Sequence, residues 1–424
     1  MYKFIHASDI HLDSPLRGLE YYEGAPKEKI RLATREALEN LVDAAVKEKT
    51  AFVLISGDIY DGDWKDYNTG LFFIKQMSRL KTAQIQVFLV SGNHDASSQI
   101  THNLQLPDNV ASLSAQKPQT HIIEPLKTAI HGQSYSRAAV SENLALNYPD
   151  ALSGYFNIGV LHTNCGAQQG HDPYAPCSLD NLRSKRYDYW ALGHIHKRSE
   201  LDTNPWIVYC GCTQGRHINE EGQKGCTLVT VDNNQVKQVE HIALDVMRWF
   251  IITIDASGTL EPQEIIYKVN EAVKQKIEEN ENRVLAIRLI IKGSCKAHRE
   301  LAADRNRWIN EIRASVSTSS SGAVWIEKVY FHTSLEINID DIIKRDDPIA
   351  GLLSYINALN LDMGELKDLT KEFEPIKNKL PDPLEELDNL LNLKDQQRTK
   401  QLLEDVRQIL LTRLLTKIRT DENT

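Results

Sequence analysis

Five short polar clusters hold the residues whose types and grouping can do chemistry: Asp9-Ile10-His11, Gly57-Asp58 with Asp61, Gly92-Asn93-His94-Asp95, His162, and Gly193-His194-Ile195-His196. Carboxylate, side-chain amide and imidazole are oxygen and nitrogen donors that suit manganese, iron or zinc better than a thiolate site does. A lone histidine is more often a core or surface residue than a ligand, and nine of the fourteen here lie outside the clusters. The setting singles these five out. Phe52-Val53-Leu54-Ile55 runs into Ser56-Gly57-Asp58, and Val87-Phe88-Leu89-Val90 into Ser91-Gly92-Asn93-His94. Ile158-Gly159-Val160-Leu161 ends at His162, and Tyr189-Trp190-Ala191-Leu192 at Gly193-His194. Short apolar runs read as strands buried on both faces. The carboxyl ends of such strands are where open α/β sheets build their sites. The expected chemistry is hydrolysis at a two-metal centre. Asp58 can bridge two cations about 3.5–4 Å apart, as phosphoryl displacement requires. Asn93 adds a donor without adding charge, so two aspartates against two divalent ions leave a pocket that attracts a phosphodiester.

The elements that must position these residues alternate first and then turn β-rich. Lys3–Ala7 predicts a strand, and Ile30–Val46 and Asn68–Leu80 predict amphipathic helices. Trp206–Tyr209, Cys226–Val231 and Gln235–Ile242 predict short strands, with a hairpin turn at Asp232-Asn233-Asn234. From about Asp245 a second module reads as alternating strands and helices. Its expected strands are Trp249–Ile254, Val284–Ile291 and Ala323–Phe331; its helices are Glu261–Glu279 and Arg299–Val316, with a polar loop over Ser315–Gly322. Beyond that, Pro348, Pro375, Pro381 and Pro383 separate helical stretches, and Leu402, Val406, Ile409, Leu410, Leu414 and Ile418 keep helical spacing. Such a helix packs on its own domain or docks on a partner.

A chain of 424 residues with ordinary apolar and charged content predicts two or three domains and a full core. Its net charge of −9 argues against gripping nucleic acid by bulk attraction, while a local positive groove remains compatible with it. Arg183, Lys185 and Arg186 read as a solvated basic face or as backbone contacts. Arg216 and His217 sit in a Gly-containing turn where they touch substrate phosphate or belong to an ordinary loop. Six cysteines are scattered without Cys-x-x-Cys pairs, and Cys210-Gly-Cys212 is poorly spaced for a zinc knuckle. No leader-like segment and no apolar run of about 20 residues appears, so the expectation is a reducing cytoplasm and no membrane. No Walker lysine loop is present, so ATP hydrolysis would fall to another protein.

The clusters resemble the five motifs of the calcineurin-like metallophosphoesterase superfamily. Ser8-Asp9-Ile10-His11-Leu12-Asp13-Ser14-Pro15-Leu16 and Gly57-Asp58-Ile59-Tyr60-Asp61 resemble its SbcD-like DNA repair exonuclease branch. Tyr174-Ala175-Pro176-Cys177, Tyr189-Trp190-Ala191-Leu192-Gly193-His194-Ile195-His196 and Gln214-Gly215-Arg216-His217 are similar to the YhaO-like members of that branch. The resemblance is strong over about residues 1–245 and holds in outline beyond. It implies an α/β fold: a calcineurin-like two-sheet sandwich flanked by helices (1–245), a small α+β cap domain shaping access for DNA (246–340), and a C-terminal helical segment (341–424). It also implies two divalent metal ions, manganese first, with iron, zinc or nickel as other occupants. One is expected on Asp9, His11, Asp58 and His196, the second on Asp58, Asn93, His162 and His194. His94 matches the histidine that assists the leaving-group oxygen, and Asp95 is expected to orient it. Some relatives carry a second histidine where Asp61 stands; Asp61, like Arg216 and His217, is expected in an outer-shell or substrate role.

For function the resemblance implies two-metal hydrolysis of DNA phosphodiester bonds, as a 3′-to-5′ exonuclease with single-strand endonuclease activity. Its partners would be DNA, a coiled-coil ATPase docked on the C-terminal helices, and a second copy of the chain. Two other readings stay open. One is the same centre acting on nucleotides or phosphoproteins, since a fold does not fix a substrate. The other is a low-activity regulatory subunit, which the acidic net charge keeps in play.

Overall fold

The computed structural model describes residues 1–14, 27–61, 67–97, 105–166, 172–281, 283–336 and 350–351. Pro15, Leu16 and, apart from 350–351, the helical segment expected over 341–424 lie outside them. The chain forms two compact units. One comprises Met1–Ile252, Ala272–Leu289 and Arg313–Val329; the other comprises Thr253–Glu271, Ile290–Ile312 and the chain from Tyr330.

In the first unit the apolar runs become the central strands of two sheets. β1 (Tyr2–Ala7), β2 (Phe52–Ser56), β3 (Gln86–Val90) and β4 (Val110–Ser112) lie side by side and parallel. A second sheet holds β5 (Gln119–Ile123), β6 (Thr128–Gly132), β7 (Phe156–His162), β8 (Tyr189–Gly193), β9 (Ser199–Thr203) and β10 (Trp206–Tyr209) in the order β5-β6-β7-β8-β10-β9. Its four middle strands are parallel and its edge strands antiparallel. β11 (Gly225–Asp232) and β12 (Gln235–Ala243) then extend the first sheet antiparallel beyond β1. Asp232 pairs with Gln235, which leaves Asn233 and Asn234 as the turn. Both have positive φ, 51° and 56°, as a two-residue type I′ hairpin demands.

Alternation along the strands explains why both faces are apolar. Phe4, Phe52, Leu54 and Phe88 share a core with Ile130, Ile158, Val160 and Tyr189 of the other sheet. Their neighbours Ile5, Ala7, Val53 and Ile55 pack instead with Leu38, Leu41, Val42 and Ala45 of α1 (Lys27–Lys47) and Phe73, Met77 and Leu80 of α2 (Tyr67–Thr82). On the second sheet Leu161, Trp190 and Leu192 pack with Leu144, Tyr148 and Leu182. The result is two sheets flanked by helices, as expected. The short helices α3 (Asn93–Ser97) and α4 (Leu179–Arg183) follow β3 and precede β8.

A third sheet has the order β13 (Met247–Asp255), β14 (Val284–Cys295), β15 (Val324–Leu335). α5 (Pro262–Glu279) follows the first of these strands. The single helix expected over Arg299–Val316 is two, α6 (His298–Ala303) and α7 (Arg305–Ser319). Asp304 leaves the helical region (φ −143°, ψ 76°), and its carboxylate accepts the Arg307 amide at 3.0 Å, an N-cap that restarts the helix. The loop expected from Ser315 is helical as far as Ser319, with the Thr318 and Ser319 hydroxyls folded back onto the carbonyls of Ala314 and Val316. No helix among the described residues is long and apolar enough to cross a membrane.

Candidate metal centre

Each polar cluster begins where a buried parallel strand runs out, and the chain turns sharply there. Asp9, His11, Asp58 and His194 all take positive φ (50°, 45°, 54° and 96°), a region that costs a non-glycine residue about 1–3 kcal/mol. Interlocking hydrogen bonds hold them. The amides of Asp9, His11 and Leu12 donate to the carbonyls of Gly57, Asp58 and Ile59 at 3.0, 3.0 and 2.8 Å. The His94 amide donates to Asp58 Oδ1 at 3.0 Å, and the His194 amide to both Asp9 carboxylate oxygens. Asp13 anchors the first loop to the helices through Arg35 and Thr69. Close approach also requires glycine: a Cβ on Gly92 would lie 2.3 Å from Asp58 Oδ1, and one on Gly193 2.0 Å from the Ser56 carbonyl oxygen.

The expected ligands come together. Donor atoms of Asp9, His11 and His196 lie within 4.8 Å of one another, and so do those of Asp58, His162 and His194. A third such group, His11 with Asp58 and His94, joins the two. Asp58 Oδ2 stands 3.9 Å from His11 Nε2 and 3.3 Å from His162 Nε2, the position a bridging carboxylate needs. Asn93 belongs to the second group, its Oδ1 being 3.0 Å from His162 Nε2. All of these except His196, Asn93 and His94 are buried.

Ring orientation tests whether divalent ions fit. The His162 Nδ1–H donates to the Ser56 carbonyl at 2.9 Å, so its Nε2 faces the oxygens of Asp58 and Asn93. His196 donates from Nδ1 to Glu220 at 2.6 Å, which turns its Nε2 toward that of His11, 3.2 Å away. His194 donates from Nε2 to the Asp172 carbonyl at 3.0 Å, leaving Nδ1 for the centre. The remaining ring nitrogens thus converge with the Asp58 and Asn93 oxygens on shared points that a cation can occupy in place of protons, and the hard and borderline donors suit divalent ions.

Charge is arranged to match. Burial, with help from Arg216, pushes His11 down to about 4, so its ring is neutral and able to donate a lone pair. Burial opposes ionisation of Asp58, yet the neighbouring His162, His11 and His94 outweigh it and hold the carboxylate well below its usual range. Burial also works against a charged His162, but the Asp58 carboxylate wins and raises it to about 9. A cation seated on His162 must therefore displace a proton, and binding strengthens as pH rises.

One expectation is corrected. Asp95 does not orient His94: its carboxylate is buried and accepts the backbone amides of Ile59, Tyr60 and Gly92 at 2.9–3.1 Å, tying the second and third clusters together. The carboxylate beside His94 is Asp61, with Oδ1 2.9 Å from Nδ1. A residue immediately following His94 on a helix turns away from it, whereas the loop after β2 returns Asp61 to its side. Arg216 and His217 both lie near the centre. Arg216 is mostly buried, with Nη1 3.8 Å from Asp61 Oδ2 and Nη2 3.0 Å from Glu220 Oε1. His217 is half-exposed, 3.5 Å from Glu220. Of the basic cluster, Arg183 pairs with Asp180 and Asp202, and Lys185 caps the carbonyls of Leu146 and Tyr148. Sequence reading missed Glu220 and the Ser56 and Asp172 carbonyls. Backbone oxygens carry no residue signature, and Glu220 lies in a turn without periodic pattern.

A family model described as calcineurin-like phosphoesterase matches residues 2–198. With the two-sheet fold and convergent donors, it defines the class: a metal-dependent phosphoester hydrolase. A model described as metallophosphoesterase YhaO, middle domain, matches residues 249–334. The chain is 35% identical over 295 residues to uncharacterized metallophosphoesterase YhaO of Bacillus subtilis, covering 69% of this chain and 72% of that protein. It is 24% identical to the DNA double-strand break repair protein Mre11 of Sulfurisphaera tokodaii (69% and 73% covered). It is 22% identical to a subunit of the nuclease SbcCD of Escherichia coli (58% and 68% covered). The chain belongs to the YhaO/SbcD-like branch of the calcineurin-like metallophosphoesterase superfamily.

Proposed function

We propose that this phosphoester hydrolase cleaves DNA phosphodiester bonds, as a 3′-to-5′ exonuclease with single-strand endonuclease activity acting in DNA repair. The observation that carries the reading is the pair of donor groups joined at Asp58, with His94 beside them and 39% exposed. The names of the Mre11 and SbcCD relatives supply the substrate. In this reading Asp9, His11, Asp58 and His196 hold one divalent ion and Asp58, Asn93, His162 and His194 the other, with manganese as the ion. Bound there, the ions would neutralise charge on the phosphoryl oxygens and acidify the attacking water.

The chain's own residues supply orientation and the proton. Asp61 accepts the Nδ1–H of His94, which directs Nε2 outward to the leaving oxygen. Burial disfavours the imidazolium, but the Asp61 hydrogen bond and the charges of Asp58 and Asp61 override it and raise His94, so it carries a proton to give. Residues 246–340 serve as the cap that shapes access, after the nuclease domain of 1–245. Residues 341–424 dock on a coiled-coil ATPase, within a complex that holds two copies of this chain in the cytoplasm.

The test compares manganese-dependent turnover on labelled duplex and single-stranded oligonucleotides with turnover on small phosphodiesters, nucleotides and phosphopeptides. Faster cleavage of the oligonucleotides, abolished in Asp58→Ala together with both bound ions, supports the reading. Undiminished DNA cleavage by Asp58→Ala would refute it.

A further inference from the structure

The Gly215-Arg216-His217-Ile218-Asn219-Glu220 turn has no place in the ligand set, yet it reaches the centre. Glu220 is 4% exposed, and its two oxygens are fully engaged. Oε1 accepts the Nδ1–H of His196 at 2.6 Å and Arg216 Nη2 at 3.0 Å; Oε2 accepts the Arg216 amide at 2.7 Å. The backbone holds it in turn, since the Glu220 amide donates to the His217 carbonyl at 2.9 Å. A Cβ at Gly215 would sit 2.8 Å from the Glu220 carbonyl oxygen, so the turn closes only on glycine. A buried carboxylate is kept where it is paired and hydrogen-bonded. Here every partner belongs to the turn itself or is His196.

We propose that Glu220 is a positioning residue of the metal centre: it fixes the His196 ring with Nε2 directed at the ion shared with Asp9 and His11, and Arg216 holds Glu220 in place. The proposal rests on the ligand assignment made above. A carboxylate on the far nitrogen of a histidine fixes the tautomer and raises the basicity of the ligating nitrogen. Arg216 extends the chain of contacts: its Nη1 lies 3.8 Å from Asp61 Oδ2, and Asp61 Oδ1 lies 2.9 Å from His94 Nδ1. The same turn thereby braces one ligand and the carboxylate that aims His94. Nothing in this role touches substrate, so Glu220 acts on one ion and through it.

The experiment is a titration of full-length protein, stripped of metal, with manganese(II) alone, followed by calorimetry and by electron paramagnetic resonance of free and bound ion. Wild type is expected to take up two ions. In Glu220→Gln one of the two binding steps should weaken about 10- to 100-fold, with the other unchanged. Glu220→Asp keeps the charge near Arg216 but withdraws it from Nδ1, and should lose the same step. Thermal denaturation of the metal-free forms checks folding, and Glu220→Asp decides the question if Glu220→Gln does not fold. Both steps unchanged, both weakened alike, or wild-type affinity in Glu220→Asp would each overturn the proposal. A wild type that binds fewer than two ions would instead bring down the two-ion reading, and this proposal with it.

Discussion

His94 is the residue on which turnover should depend most and metal uptake least. It is partly exposed while the ligands around it are mostly buried, and its Nδ1 is committed to Asp61. His94→Ala should lower kcat by about 10²- to 10⁴-fold while manganese stoichiometry stays at the wild-type value, measured by calorimetry beside steady-state kinetics. Loss of both properties together would make His94 a ligand. Asp61 sets the other residue-scale expectation. Burial opposes the imidazolium and Asp61 overcomes it, so Asp61→Asn should lower the His94 pKa. The proton donor is then lost at lower pH, and the alkaline limb of the kcat profile should move toward acid. An unmoved limb would show that Asp61 does not govern this proton.

At the scale of elements, strand ends converge because glycines let two backbones meet. Gly193 ends β8, and a Cβ there would strike the Ser56 carbonyl, the same oxygen that receives the His162 Nδ1–H. Backbone cannot yield as a flexible side chain does. Gly193→Ala should therefore cost about 1–3 kcal/mol in urea denaturation and also weaken manganese binding through His162. A variant with wild-type stability and affinity would show that this approach is looser than drawn. The positive-φ residues Asp9, His11, Asp58 and His194 express the same economy: strained turns, held by cross-strand hydrogen bonds, place side chains that a relaxed loop would scatter.

For the whole molecule, acid sensitivity should come partly from a histidine that takes no part in the centre. His6 lies fully buried in β1, with Nδ1 3.0 Å from the Tyr189 hydroxyl and Nε2 3.2 Å from the Leu192 carbonyl, so it ties the two sheets together. Burial lowers it from 6.5 to about 3, against weaker opposition from Leu192 and Asp9. Between those two values the unfolded chain binds a proton that the folded chain refuses, so stability falls as pH drops through that window. Urea midpoints at pH 7 and pH 4 should differ less in His6→Gln than in wild type. An equal difference in both would assign the acid loss to other groups.

Read from the chain alone, the donors, their strand-end setting, the two-sheet α/β class and most element boundaries in the first unit are legible. Apolar runs that carry no polar break must be buried on both faces, and the polar residues just beyond them must turn the chain. The local pattern did not reveal that Asp304 splits a helix or that Ser315–Ser319 stays helical, because capping and hydroxyl back-bonding are choices between competing local hydrogen bonds. The tertiary structure alone decided that Asp61, not Asp95, attends His94, and that Glu220 stands behind His196. The reason is physical. Residue type and periodicity state what a side chain can donate and which face it occupies. Which nitrogen meets which oxygen depends on how loops far apart in the chain close on one another.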